Sequence, residues 1–134
     1  MKLTLALTLL FLCSSVLAKE QPDRKARLAL ERAVRLTPGA EALFCVMPKR
    51  MDESKSVRRL ADGINYAKRE KQPFIMYCPN PDLGKRTITL VFTAIRPGSL
   101  RGMTIVCVIG KENESHIRGV IEATGAKLFV EPLP

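Results

Sequence analysis

The most reactive side chains of this chain are one histidine and a few cysteines. His116 is the only histidine, so a metal site that needs several imidazoles is excluded. Cys45, Cys78 and Cys107 show no C-x-x-C spacing, which is the pattern of zinc ribbons and dithiol oxidoreductases. No residue pairs with His116 at a spacing diagnostic of nucleophilic catalysis. The sequence therefore predicts no metal and no cofactor, and it favours a protein without catalytic activity.

Two short motifs bear on other chemistry. Residues 83–87, Leu-Gly-Lys-Arg-Thr, resemble part of a phosphate-binding loop, but Pro79 stands at the earlier glycine position and Arg86 where Ser or Thr is needed. They also precede a predicted strand, whereas a phosphate loop precedes a helix, so we exclude this motif. Residues 113–115, Asn-Glu-Ser, fit an N-glycosylation acceptor in a eukaryotic secretory host.

Basic residues recur where predicted strands end or begin. If the strands at 41–48 and 73–78 are parallel, both end at one edge of the sheet, and Gly110-Lys111 returns to that edge after a later strand. Helix N-termini at such an edge present unpaired N–H groups that favour anions. We therefore predict an anion-binding edge. Its residues are Lys49, Arg50, Lys85, Arg86 and Lys111, with Asn80 as a hydrogen-bonding neighbour. In the competing interpretation, these charges simply populate loop ends.

The elements that would position these residues follow from periodicity and from turn residues. Apolar residues at helical spacing predict helices over residues 22–37, 52–71 and 112–124. Buried strands are predicted over 41–48, 74–78, 103–109 and 126–130. Residues 87–95 alternate between two faces, which predicts a further strand. Its apolar face would carry Ile88, Leu90, Phe92 and Ala94, and its other face Thr87, Thr89, Val91 and Thr93.

These elements predict an α+β fold in the order α-β-α-β-β-β-α-β. The strands at 87–95 and 103–109 would form an antiparallel hairpin around the turn at 96–99. The result is a mixed sheet of four to five strands with two or three helices packed mainly on one face. In outline it resembles the split β-α-β class, a likeness of architecture that implies no activity.

The first 18 residues have the pattern of a cleaved secretory signal peptide. Lys2 precedes an apolar run from 3 to 13, and Val16-Leu17-Ala18 fits a cleavage site. An uncleaved membrane anchor would need about 20 apolar residues, which is longer than this run. A lipoprotein signal would make Cys13 the acylated residue, but such signals usually carry a small residue before the cysteine, and here it is Leu12. We expect residues 19–134 to form one domain, without a transmembrane segment, in the periplasm or outside the cell.

Export changes the cysteine count and leaves a strongly basic chain. Loss of Cys13 would leave three cysteines, an odd number, and we predict a Cys45–Cys78 disulfide. Residues 19–71 carry 14 basic and 8 acidic groups, against 7 and 5 in residues 72–134. Such an excess favours anionic partners, although charge alone can also serve solubility. Nucleic acid is not favoured, because the few aromatic residues lie in apolar runs and form no stacking platform.

The function that best fits these patterns is that of a small, basic, non-enzymatic binding protein outside the cytoplasm. It would engage a protein or an anionic component of the envelope or extracellular space. Two alternatives remain: a secreted hydrolase with dispersed catalytic residues, and a structural subunit of an envelope assembly. The second alternative predicts an exposed apolar patch or a free sheet edge, for which the strand at 126–130 is a candidate.

Overall fold

Helices and strands alternate along the described part of the chain. The computed structural model describes residues 24–36, 42–46 and 52–133; the predicted signal peptide lies outside them. The elements are α1 (Arg24–Arg35), β1 (Leu43–Val46), α2 (Glu53–Glu70), β2 (Phe74–Tyr77), α3 (Pro81–Thr93), β3 (Thr104–Ile109), α4 (Glu114–Glu122) and β4 (Lys127–Pro132). A short 3₁₀ turn, Lys111–Asn113, precedes α4.

The four strands form one parallel sheet in the sequential order β1-β2-β3-β4. The register places Val46 beside Tyr77, Tyr77 beside Val108, and Val108 beside Glu131. Parallel neighbours cannot be joined by a tight turn, so each connection is a crossover through a helix. Every residue of β2 is buried, as expected for a central strand covered on both faces.

Helices α2, α3 and α4 cover one face of this sheet. Their buried side chains pack against the strand residues on that face in one core cluster. The helix residues are Leu60, Ile64 and Ala67 on α2, Ile88, Val91 and Phe92 on α3, and Ile117 and Ile121 on α4. With sequential strands and all three helices on the same face, the three crossovers have the same hand.

Helix α1 covers the opposite face of the sheet. Ala33 is fully buried there, in a second cluster formed with residues of β2 and β3 and with the residue just before β1. These neighbours are Ala42, Ile75, Tyr77, Val106 and Val108. An ion pair of 3.4 Å between Arg32 Nη1 and Glu131 Oε1 ties α1 to the edge strand β4.

The predicted hairpin and the mixed sheet are wrong. Residues 87–95 do not form a strand, because Pro81–Thr93 is a helix that carries the chain from β2 to β3. Asn80 caps this helix by accepting a hydrogen bond of 3.2 Å from the Leu83 N–H, and Pro81 occupies its first turn. The antiparallel partner of β3 therefore does not exist, and all paired strands are parallel.

Candidate functional site

The carboxyl edge of the sheet is where the sequence predicts an anion site. Lys111 lies directly after β3, exposed in the 3₁₀ turn. Lys85 and Arg86 are exposed on α3, inside the helix rather than in a loop. Lys49 and Arg50 lie outside the described residues.

One buried amide joins the beginnings of α3 and α4 at this edge. Asn113 Nδ2 donates a hydrogen bond of 3.1 Å to the carbonyl of Pro81, and Asn113 is only 9% exposed. This bond brings the turn that carries Lys111 beside the first residues of α3. The fold therefore places Lys111 and Lys85 on adjacent elements.

Two members of the predicted site already make structural contacts. Arg86 Nε donates to Glu53 Oε1 at 3.0 Å, which links α3 to the beginning of α2. Asn80 uses its side-chain oxygen to cap α3. Binding of an anion by either side chain would have to compete with these contacts.

Acidic residues stand at the beginnings of the helices that reach this edge. Asp52 caps α2 by accepting from the Lys55 N–H at 2.9 Å, and this hydrogen bond lowers the pKa of the Asp52 carboxyl. The first turns of these helices and of the 3₁₀ turn carry Glu53, Asp82, Glu112 and Glu114. Carboxylates there stabilise the helix dipole and oppose a bound anion.

The strand order offers no ligand crevice at this edge either. Doubly wound sheets open such a crevice at a topological switch point, and the four described strands, in sequential order, form none.

The three cysteines of the predicted mature chain lie buried on the α2–α4 side of the sheet. No disulfide joins Cys45, Cys78 and Cys107. Cys45 stands opposite Met76, two residues out of register with Cys78, so strand spacing and rise separate their Cα atoms by roughly 8 Å. A disulfide needs roughly 7 Å or less. The predicted Cys45–Cys78 bond is therefore not formed in this fold.

Burial also makes the Cys78 thiol a poor nucleophile. Desolvation raises its pKa well above the ordinary value, and the hydrogen bond and charge of neighbouring Cys107 act in the same direction. Because the thiolate is the reactive form, this environment suppresses cysteine chemistry at Cys78.

His116 connects two helices. Its Nε2 lies 2.8 Å from Thr89 Oγ1, and the same hydroxyl donates to the carbonyl of Lys85 at 2.7 Å. A threonine hydroxyl has a single proton, so His116 Nε2 is the donor in this contact. This contact joins α4 to α3. Because the Thr89 hydroxyl already donates its proton to Lys85, His116 cannot accept a hydrogen bond from it.

The densest positive charge of the described residues lies on α1, outside the edge that the sequence predicts as an anion site. Its twelve residues hold five basic side chains against one acidic, a net of +4. Residues 52–133, with 13 basic and 9 acidic groups, carry no more net charge than this one helix. The i, i+4 spacing of Arg27, Glu31 and Arg35 indicates an exposed basic face, but the same spacing is equally typical of an ordinary solvated helix.

Three arginines of α1 point to solvent with no ion-pair partner among the described residues. They are Arg24, Arg27 and Arg35, all exposed. Leu28, between them in the sequence, is 41% exposed, and Leu90 is the other exposed large hydrophobic side chain among those whose burial the structure describes. We define Arg24, Arg27, Leu28 and Arg35 as the arginine stripe.

Replacement of Asn113 by alanine should lower the free energy of unfolding by about 1–2 kcal/mol, because the Pro81 carbonyl loses a partly buried donor. Urea unfolding would measure the change. Ser115→Ala is the matched control, since it removes the same glycosylation motif at an exposed position and should leave stability unaltered. Equal losses in both variants, in a glycosylating host, would show that a glycan and not the Pro81 contact is responsible.

None of the helices in the described ranges combines the length and apolar character needed to cross a membrane. The same ranges contain no group of three or more His, Cys, Asp or Glu side chains placed to hold a metal ion. No protein-family model, curated protein or solved structure matches this chain.

Proposed function

We propose that this chain is an exported, non-enzymatic binding protein that engages an anionic component of the envelope or extracellular space. The observation that carries the proposal is the concentration on α1 of exposed arginines that form no ion pair with a described residue. A net charge of +4 on twelve residues creates a local positive field that attracts anionic surfaces and speeds encounter with them.

Arginine suits this role better than a general positive charge does. The planar guanidinium presents a fork of N–H donors that matches phosphate and carboxylate oxygens in a bidentate arrangement. Arg24, Arg27 and Arg35 are exposed and make no ion pair with a described residue. They can therefore accept an anionic partner without losing an intramolecular contact described in the fold.

The outward face of α1 is held in place by the packing of its inward face. Ala33 packs into the cluster on the sheet, and the partly buried Val34 and Leu36 pack against the same cluster. The ion pair from Arg32 to Glu131 supports the same orientation. A surface already ordered before binding loses less conformational entropy when a partner arrives.

The carboxyl edge stays in the proposal as a second contact region. Lys85 and Lys111 are exposed there and have no ion-pair partner among the described residues. Lys49 and Arg50, the other basic residues predicted for this edge, lie outside the described residues. The acidic residues at the neighbouring helix starts make this edge the weaker of the two regions.

Salt-dependent retention on immobilised heparin, a sulfated polyanion, tests the proposal. The probe is residues 19–134, compared with an α1 variant (Arg24→Gln, Arg27→Gln, Arg35→Gln) and an edge variant (Lys49→Gln, Arg50→Gln, Lys85→Gln, Arg86→Gln, Lys111→Gln). Because each ionic contact with a linear polyanion releases counterions, each lost contact should make the slope of log K against log salt less steep. We expect the α1 variant to elute at lower salt than the edge variant.

Two results would overturn the proposal. One is elution of both variants at the salt concentration of the parent chain. The other is a native protein that begins at Met1 and fractionates with the cytosol, which N-terminal sequencing and cell fractionation would reveal. Loss of retention in the edge variant alone would move the binding surface to the carboxyl edge and keep the function.

A further inference from the structure

We infer that the arginine stripe of α1 docks on the surface of an anionic lipid bilayer. This inference rests on the proposed function, whose partner it names. In this arrangement the arginines contact the phosphate groups of acidic lipids, and Leu28 enters the boundary between headgroups and acyl chains.

The stripe is narrow and faces away from the sheet. At 3.6 residues per turn, Arg24, Arg27, Leu28 and Arg35 fall within an arc of about 100° around the helix axis. Ala33, which is fully buried against the sheet, lies on the opposite side of the helix. All four side chains can therefore meet one flat surface while α1 stays packed on the domain.

Leu28 is the residue that favours a bilayer over other anionic partners. Its side chain is 41% exposed and lies between Arg27 and Arg35 along the helix, at one edge of the arc. A helix lying at a membrane interface places apolar side chains below the headgroups, while the long arginine side chains reach the phosphates. A soluble polyanion offers no apolar layer for Leu28 to enter.

Glu31 provides a test in which a substitution should strengthen binding to the bilayer. It lies within the same arc, is exposed, and makes no ion pair with a described residue. Facing an anionic surface, this carboxylate would weaken binding. Removing its charge should therefore strengthen binding to acidic lipid.

Leu90 provides a matched control for Leu28. It is the other large exposed hydrophobic side chain among those whose burial the structure describes, at 51% exposure, and it lies on α3, on the far side of the sheet from α1. Arg86, one turn before it, is engaged by Glu53. Leu90 thus has comparable exposure without unpaired arginines around it.

The test is co-sedimentation of residues 19–134 with vesicles of phosphatidylcholine alone and of phosphatidylcholine mixed with phosphatidylglycerol. Binding should require phosphatidylglycerol and weaken with salt. The triple arginine-to-glutamine variant should lose affinity by about a hundredfold, and Glu31→Gln should gain about fivefold, at the usual contribution of a charge near an acidic surface. Leu28→Ala should lose about fivefold and Leu90→Ala nothing measurable. Thermal melting of each variant confirms that the fold is retained.

The outcomes separate this inference from the proposed function. Retention on heparin that depends on the arginines, without binding to acidic vesicles, would overturn the lipid assignment and leave an acidic protein or glycan as partner. Vesicle binding with equal losses for Leu28→Ala and Leu90→Ala would also overturn it, since the stripe would have no special part. Failure on both heparin and vesicles would remove the inference and the proposed function together.

Discussion

Val91→Gln is expected to lower the free energy of unfolding by about 3–5 kcal/mol, because it removes a buried aliphatic side chain and buries an amide in an apolar cluster. Val91 is 6% exposed and packs in the core between α2–α4 and the sheet. Leu90→Gln, one residue earlier, should change stability by less than about 0.5 kcal/mol, since Leu90 is 51% exposed. Glutamine is a better helix former than valine and about equal to leucine, so propensity favours Val91→Gln and its larger loss must come from burial.

This pair of variants decides between two structures for residues 87–95. Strand alternation places Leu90 inside and Val91 on the more polar face, which predicts the opposite ranking. Urea unfolding followed by circular dichroism would measure both free energies. A damaging Leu90→Gln beside a tolerated Val91→Gln would bring back the hairpin and remove helix α3.

The misassignment of α3 has a physical origin in its composition. Residues 87–95 hold several β-branched side chains that alternate with other apolar residues, and β-branched residues favour strands. The helix signals lie just before them: Asn80 as cap, Pro81 in the first turn and Asp82 beside it. Those three residues predict a helix, whereas a loop interpretation treats the same Pro and Asn as turn formers. Burial of Leu83, Thr87, Ile88 and Val91 follows the helical period once the helix is capped.

Local signals predicted the remaining elements well. Helices predicted at 22–37, 52–71 and 112–124 correspond to α1, α2 and α4, and four predicted strands correspond to β1 to β4. The four-stranded sheet, with most helices on one face, is also as expected, and β4 is an edge strand. The all-parallel arrangement was not predicted, because it depends on residues 81–93 forming a helix, and the sequence analysis assigned a strand to residues 87–95.

The candidate site was harder to predict than the fold. The sequence placed Lys111 at the carboxyl edge through a predicted hairpin that does not form, and Lys111 lies at this edge because the helical crossover α3 makes β3 parallel to β2. It could not show that Arg86 contacts Glu53, 33 residues away, because that ion pair depends on how α2 and α3 pack. Nor could it show that α1 packs on the second face of the sheet, which fixes the outward direction of its arginines.

Gly84→Ala is expected to lower the free energy of unfolding by about 1–3 kcal/mol, although alanine is the better helix former by about 1 kcal/mol. Gly84 is buried on α3 against the end of β2. A Cβ atom there would lie 2.8 Å from Cys78 Cβ and 3.5 Å from Cys78 Sγ. The first contact is far inside the van der Waals distance and involves an atom that no rotation of the cysteine side chain can move. The chain must therefore shift α3 away from β2 or distort the connection through Asn80.

Gly119→Ala is the matched control, because Gly119 is exposed within α4 and a Cβ there would meet no atom within 4 Å beyond its chain neighbours and the adjacent helix backbone. The same substitution should stabilise the protein there by about 1 kcal/mol through helix propensity and a less flexible unfolded chain. Cys78→Ala keeps the Cβ atom, so the Gly84→Ala/Cys78→Ala double variant should retain most of the Gly84→Ala loss. Full rescue by Cys78→Ala would place the conflict at the sulfur. A Gly84→Ala variant as stable as Gly119→Ala would mean that α3 does not approach β2 this closely, and the beginning of α3, with Lys85 beside it, would then lie elsewhere.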